Sequence, residues 1–237
     1  MKILFAGPSL HGCDLAGTGI RVRPPARQGD LQSAVLDGAN VIGLVDGVFE
    51  TVAAVWHKEI LFALSQGVVV LGAASMGALR AAECKPFGMM PIGEIAERYA
   101  RGLLDDDAAV AQLHAPAELG FLPLTQALVD CEAAIEALSS SGRLQRDEAS
   151  ALLASARSLF FKLRTWRAVI RQAGYSGAKA AELRAILEQG GPGLKRRDAL
   201  SLVNVMTGLP DRRSDVKPEW SLSRTPAWIK TLETREL

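Results

Sequence analysis

The chain has 237 residues, 49% of them apolar and 22% charged, and a net charge of +1. That length suits one sizeable domain or two small ones with a full core, and no apolar run approaches the roughly 20 residues that cross a bilayer. The N-terminal segment is interrupted at Gly7 and Pro8 and is too short for a secretory signal, so no membrane association and a cytoplasmic location are expected. Cys13, Cys84 and Cys131 are widely spaced and form no C-x-x-C pair, which argues against a disulfide framework and against a metal site. The small net charge conceals a division. Residues 1–138 carry 9 Lys+Arg against 16 Asp+Glu, a balance of −7, whereas residues 139–237 carry 18 against 10, a balance of +8. A basic half of this kind suits an acidic protein partner, the acidic half of a second copy in a homodimer, or nucleic acid. Nucleic acid ranks last, because the aromatics near the basic residues have helix-core spacing rather than that of a stacking surface.

In chain order, extended segments are expected at Lys2–Ala6, Ile20–Arg23, Val41–Asp46 and Val68–Gly72, with helices over Asp30–Leu36 and Val52–Gln66. Unbroken runs such as VIGLV and VVVL fit strands covered on both faces, and their alternation with helices implies parallel pairing. The fold expected is α/β: a small doubly wound, Rossmann-like parallel sheet over 1–120, then a helical region over 121–209 and an irregular tail over 210–237. Ligands of such sheets sit beyond the carboxyl ends of the strands, here the loops Gly7-Pro8-Ser9, Asp46-Gly47 and Ala74-Ser75-Met76-Gly77. GPSLHG is not a dinucleotide fingerprint and no G-K-[ST] phosphate loop occurs, so no cofactor is expected. Further on, Ile92–Gly102 has helical spacing, Asp105-Asp106-Asp107 reads as a solvated turn, and AVAQLHA is a possible strand. Leu152, Ala156, Leu159, Phe160, Leu163, Trp166 and Ile170 share one face of a helix over 152–170. Glycine and proline then delimit helices near 177–189 and 194–206.

The segment with the clearest chemical meaning is Gly67–Glu83. An apolar run ends in Ala73-Ala74-Ser75-Met76-Gly77 and passes directly into a helix. This is the context of a G-x-S-x-G nucleophile elbow, with alanine in the first glycine position, so that Ser75 would attack and the amides of Met76 and Gly77 would receive an oxyanion. The alternative is that the small residues permit close packing and Ser75 caps the helix.

Four ordered stretches, RPPARQGD at 23–30, IGLVDGVFE at 42–50, VWHKEILFAL at 55–64 and GAASMGALRAAE at 72–83, resemble the core of the TfuA family. FFKLRTW at 160–166 extends the likeness into the helical half. The resemblance implies an accessory to YcaO enzymes, which use ATP to replace a backbone amide oxygen with sulfur in peptides, including those of RiPP biosynthesis, and in proteins. It further implies that the chain hydrolyses the C-terminal thiocarboxylate of a ubiquitin-like sulfur carrier and releases sulfide to the YcaO enzyme.

A serine hydrolase needs a base. Of His11, His57 and His114, His57 follows an active-edge loop and is the expected base for Ser75, with Asp46 orienting it. His57 as a core histidine and Asp46 as a turn former remain open alternatives. Lys58 is a second candidate base, held charged by Glu50 and Glu59. Arg80 either pairs with Glu83 or binds a carboxylate. Ser9, Arg23, Gln28 and Asp30 would rim the site or receive an extended carrier tail, although Asp30 suits a helix cap equally. Cys13 and Cys84 admit a persulfide or thioester variant. The contrasting reading is a non-catalytic adaptor that grips the YcaO enzyme, the carrier or the substrate through the basic half, including Lys195, Arg196 and Arg197.

Overall fold

The computed structural model describes residues 1–48, 50–216, 218–223, 225, 226, 228 and 229. Strands β1 (Lys2–Phe5), β2 (Ile20–Arg23), β3 (Val41–Leu44), β4 (Val69–Gly72) and β5 (Met90–Pro91) form an all-parallel sheet in the order β2-β1-β3-β4-β5. The register sets Phe5 beside Leu44, and Leu44 beside Gly72, so three strands end level with one another. The α/β class, the parallel pairing and the first four strands are as the sequence implies; the short β5 carries too few apolar residues to announce itself.

Strand side chains alternate between two cores, as a period of two requires. Ile3, Phe5, Ile42, Leu44 and Val70 face helices α1 (Asp30–Leu36) and α2 (His57–Ser65), whose Leu31, Ala34, Val35, Ile60 and Ala63 complete that layer. Leu4, Ala6, Val41, Val45 and Leu71 point the other way. The 6–19 connection from β1 to β2 holds only a short 3-10 turn at Pro8–Leu10, so no crossover helix from it covers that face. Helix α9 (Leu194–Gly208) covers it instead, through Ala199, Leu202, Val203 and Met206. Gly43 in β3 makes this close approach possible: a Cβ there would lie 2.4 Å from the Met206 sulfur. The last helix of the expected helical region is thus part of the α/β layer.

Beside the sheet, α3 (Met76–Cys84) packs on α4 (Glu94–Ala100), and α5 (Leu128–Ser140), α6 (Arg146–Ser158), α7 (Trp166–Gln172) and α8 (Gly177–Glu188) enclose a separate core around Ile135, Leu152, Val169 and Leu183. The single helix expected over 152–170 is two. Thr165 accepts from the Ala168 amide and starts α7, a 3-10 turn at Phe161–Leu163 separates the pair, and Phe160 and Leu163 lie exposed rather than in the core. The buried Arg164 ties the break together by donating to the carbonyls of Ala156 (2.8 Å) and Leu159 (2.7 Å). AVAQLHA forms no strand, only an isolated bridge from His114 to Pro123. The tail folds back on the first layer. Arg213 donates to Val35 and Ala39 carbonyls, the Ser214 amide to Gly67, and Trp228 packs buried on Phe62. Residues 230–237 of the expected tail lie outside the described residues.

Gly77 gives a test of the strand–turn–helix junction. Glycine to alanine in a helix ordinarily stabilises by up to ~1 kcal/mol. A Cβ at Gly77 would lie 1.8 Å from the Leu44 carbonyl oxygen. Gly77→Ala is therefore expected to destabilise, by about 1–3 kcal/mol, in a urea unfolding curve.

Candidate functional site

The order β2-β1-β3 makes β1 and β3 the place where the winding direction reverses, and open α/β sheets receive ligands in the crevice at that point. Gly7-Pro8-Ser9 follows β1 there and Asp46 follows β3. Asp46 is 1% exposed. Its Oδ2 accepts from the amides of Gly7 (2.8 Å) and Ser9 (3.0 Å), and its Oδ1 accepts from Ser9 Oγ (2.7 Å). Three short bonds to one carboxylate offset the burial of its charge and fix the Pro8–Leu10 turn.

A cleft of about 1000 Å³ opens beside this turn, lined among others by Ser9, Gln112, Asp130, Lys195, Arg196 and Arg197. Its far wall is the Gly190-Gly191-Pro192-Gly193 loop and the first turn of α9. Asp130 of α5, half-buried in the cleft wall, accepts from the Lys195 amide (2.8 Å) and so caps α9. Burial raises its pKa, partly offset by Lys195 and the bonded amides. The Lys195 side chain is 2% exposed, and its Nζ donates to the Val110 carbonyl (2.8 Å) and to Gln112 Oε1 (2.7 Å). Burial pushes its pKa down, and the charges of Asp46 and Asp130 push it back up. Arg196 donates to the His11 carbonyl, and Arg197 is exposed.

Ser75 stands immediately before α3, at the third of the level strand ends. Ala74 is left-handed, with φ of 65°, which is uncommon for a residue with a side chain. Ser75 is 8% exposed, and its Oγ makes no hydrogen bond among the described residues. The side-chain cap that was the alternative to an elbow is therefore not formed. Gly77 has its amide on the Val45 carbonyl (3.1 Å), where it stabilises the junction instead of facing an oxyanion; the Met76 amide has no protein acceptor among the described residues. Ser75 does not line the cleft.

The expected relay from Asp46 through His57 to Ser75 is not assembled. His57 is half exposed and its Nε2 lies 2.8 Å from Glu83 Oε2, which also accepts from Arg80. Glu83 is eight residues beyond Ser75, about 12 Å along α3 at 1.5 Å per residue, which holds the imidazole away from the elbow. Asp46 meanwhile is spent on the Gly7–Ser9 turn. Arg80 adds a bond to the Val55 carbonyl (3.0 Å), so it ties α3 to the loop before α2. Lys58 holds the tail through the Ser223 carbonyl (2.8 Å). Arg23 pairs with Asp37 (2.7 Å), Asp30 accepts from the Arg27 amide (2.9 Å), and the Gln28 amide donates to Ala53 (2.9 Å). These residues make local ties rather than a shared rim. Of the candidates, Ser9 and Asp46 are brought together; Lys195, Gln112 and Asp130 join Ser9 in the cleft as members that the search for a Ser-His-Asp set does not find. The run GGPGLKRR, a glycine-rich loop before a cation, is the signal that could have found Lys195.

The family model for the TfuA-like protein matches residues 46–165, just over half of the chain. The chain belongs to the TfuA family. No curated protein matches it. The matched TfuA segment contains Asp46, His57, Ser75, Gln112, Asp130 and Arg164, whereas Ser9 and Lys195 lie outside it.

Asp46→Ala strands the Gly7 and Ser9 amides and the Ser9 hydroxyl, and should cost more than about 2 kcal/mol in chemical unfolding. Burial pushes the Cys84 thiol up to about 11 and that of Cys131 to about 12, while Cys13 is partly exposed. Ellman's reagent at pH 8 should thus titrate one thiol per native chain and three in denaturant.

Proposed function

We propose that this TfuA-family protein serves YcaO-dependent backbone thioamidation by hydrolysing the C-terminal thiocarboxylate of a ubiquitin-like sulfur carrier and releasing sulfide for the YcaO enzyme. The observation that carries the reading is the junction at Ala74-Ser75-Met76, where a left-handed residue precedes a serine whose hydroxyl has no protein partner among the described residues and whose following amide has no protein acceptor. In the reaction, Ser75 Oγ bonds to the thioacyl carbon, the C–S bond breaks, and the hydroxyl proton leaves with sulfur as hydrosulfide. Water then cleaves the ester, returning the serine and a carrier carboxylic acid. The Met76 amide is a donor for the oxyanion, a type of contact worth about 10²–10³ in rate in serine hydrolases.

The adaptor reading retains support from one observation: among the described residues, no histidine or carboxylate is hydrogen-bonded to Ser75. The buried Lys195 is unsuited to such gripping, and exposed Arg167, Arg171 and Arg197 are the residues whose charge reversal tests it.

Sulfide release from a thiocarboxylated carrier by the purified protein decides between them. Ser75→Ala is expected to lower the rate at least about 100-fold, the order seen when a group acting on the acyl centre is removed. His57→Ala, by contrast, should stay within about threefold of wild type, since removing a half-exposed ion pair alters little. No release by wild type, with carrier or YcaO binding intact, gives the adaptor.

A further inference from the structure

Lys195 poses an energetic problem. An ammonium has three protons, and among the described residues two are taken, both by neutral oxygens, Val110 O and Gln112 Oε1. Among the described residues the third has no protein acceptor and no carboxylate oxygen is hydrogen-bonded to Nζ, although the charges of Asp46 and Asp130 act on it from farther off. A buried ammonium whose direct hydrogen-bond partners are all neutral is costly, and an anion in direct contact with it offsets that cost. Lys195 lines a cleft at the reversal point of the sheet, together with Ser9. The proton of Ser9 is committed to Asp46. With its proton committed, the Ser9 oxygen is left with lone pairs, which accept from an N–H.

We propose that Lys195 and Ser9 form a subsite that receives the C-terminal carboxylate of an extended peptide tail, the anion on Nζ and a backbone N–H on Ser9 Oγ. A single negative charge fits better than a phosphate dianion, because Asp46 and Asp130 both act on Lys195 and oppose additional negative charge beside it. The amides that would make α9 a phosphate cradle are occupied as well, with Asp130 on Lys195 N. Arg197 at the rim adds an exposed cation for the acidic surface of whatever protein bears the tail.

The test uses the full chain and one N-terminally fluorescent hexapeptide in two forms, with a free C-terminal carboxylate and with a C-terminal carboxamide, read by anisotropy. The acid is expected to bind wild type at least about tenfold more tightly than the amide, equivalent to ~1.4 kcal/mol. Lys195→Met should erase that preference while keeping cooperative unfolding, and Ser9→Ala should weaken both forms alike. If Lys195→Met fails to fold, carbodiimide crosslinking of the acid peptide to wild type decides: an adduct at Lys195 supports the subsite, and adducts confined to other lysines overturn it. Equal binding of acid and amide, binding of neither, a preference that survives Lys195→Met, or displacement by inorganic phosphate more effective than by acetate would each overturn it. Sulfide release is measured separately, so a protein that binds the acid selectively but releases none keeps the subsite and loses the hydrolase.

Discussion

Buried and half-buried carboxylates that cap the starts of neighbouring elements hold this molecule together. Asp46 after β3 fixes the turn after β1, Glu59 of α2 accepts from the Trp56 amide and sits on the start of α1, Asp130 of α5 caps α9, and Asp198 of α9 accepts from the Ile95 amide at the start of α4. Each joins segments distant in sequence or opposes a first turn whose amides would otherwise lack partners. Burial raises the pKa of Glu59, Asp130 and Asp198, and the bonded amides pull each of them back. A negative charge at a helix N-terminus is favoured by the helix dipole as well, which lets a carboxylate survive where an isolated one would be neutralised.

These caps also shape the cleft. Asp130 orients the first turn of α9, and that turn brings Lys195 to the edge where Asp46 has already fixed Ser9. One helix thus serves two purposes: its apolar face, through Leu202 and Met206, closes the sheet, while its first turn delivers a cation to the ligand side. The division between an acidic first part and a basic second part acquires a local meaning here, since a basic residue from the second part is buried within reach of carboxylates from the first. Lys162 does something similar at the surface, pairing with Glu50 and lying 5.7 Å from the centre of the Phe160 ring.

Much of the architecture was legible because it depends on local periodicity. VIGLV and VVVL could only be strands covered on both faces, and the small residues around Ser75 announced a tight strand-to-helix passage. Gly77 shows why: it lies against the Leu44 carbonyl, where no side chain fits. The helix over 152–170 was misread because the apolar spacing continues through Phe160 and Leu163, whereas Thr165 begins a new helix and a buried arginine stabilises the break. Periodicity records which residues share a face only if the helix continues, and it carries no information on whether it does. The triad failed for a related reason. Asp46, His57 and Ser75 each occupy an edge loop or its neighbour, yet Glu83 and the Ser9 turn are stronger partners for two of them.

By itself, the amino-acid sequence determined the parallel α/β sheet, the positions of its first four strands, the junction at Ser75 and membership of the TfuA family, since all of these are written in contiguous segments. Tertiary structure decided which loops became a site. The meeting of Ser9, Asp46 and Lys195 spans the chain from its first strand to its last described α-helix, and it exists because the β1–β2 connection supplies no helix to cover the sheet. The apolar face left by that connection is buried by α9, and burying α9 carries its first turn, with the lysine, to the carboxyl edge.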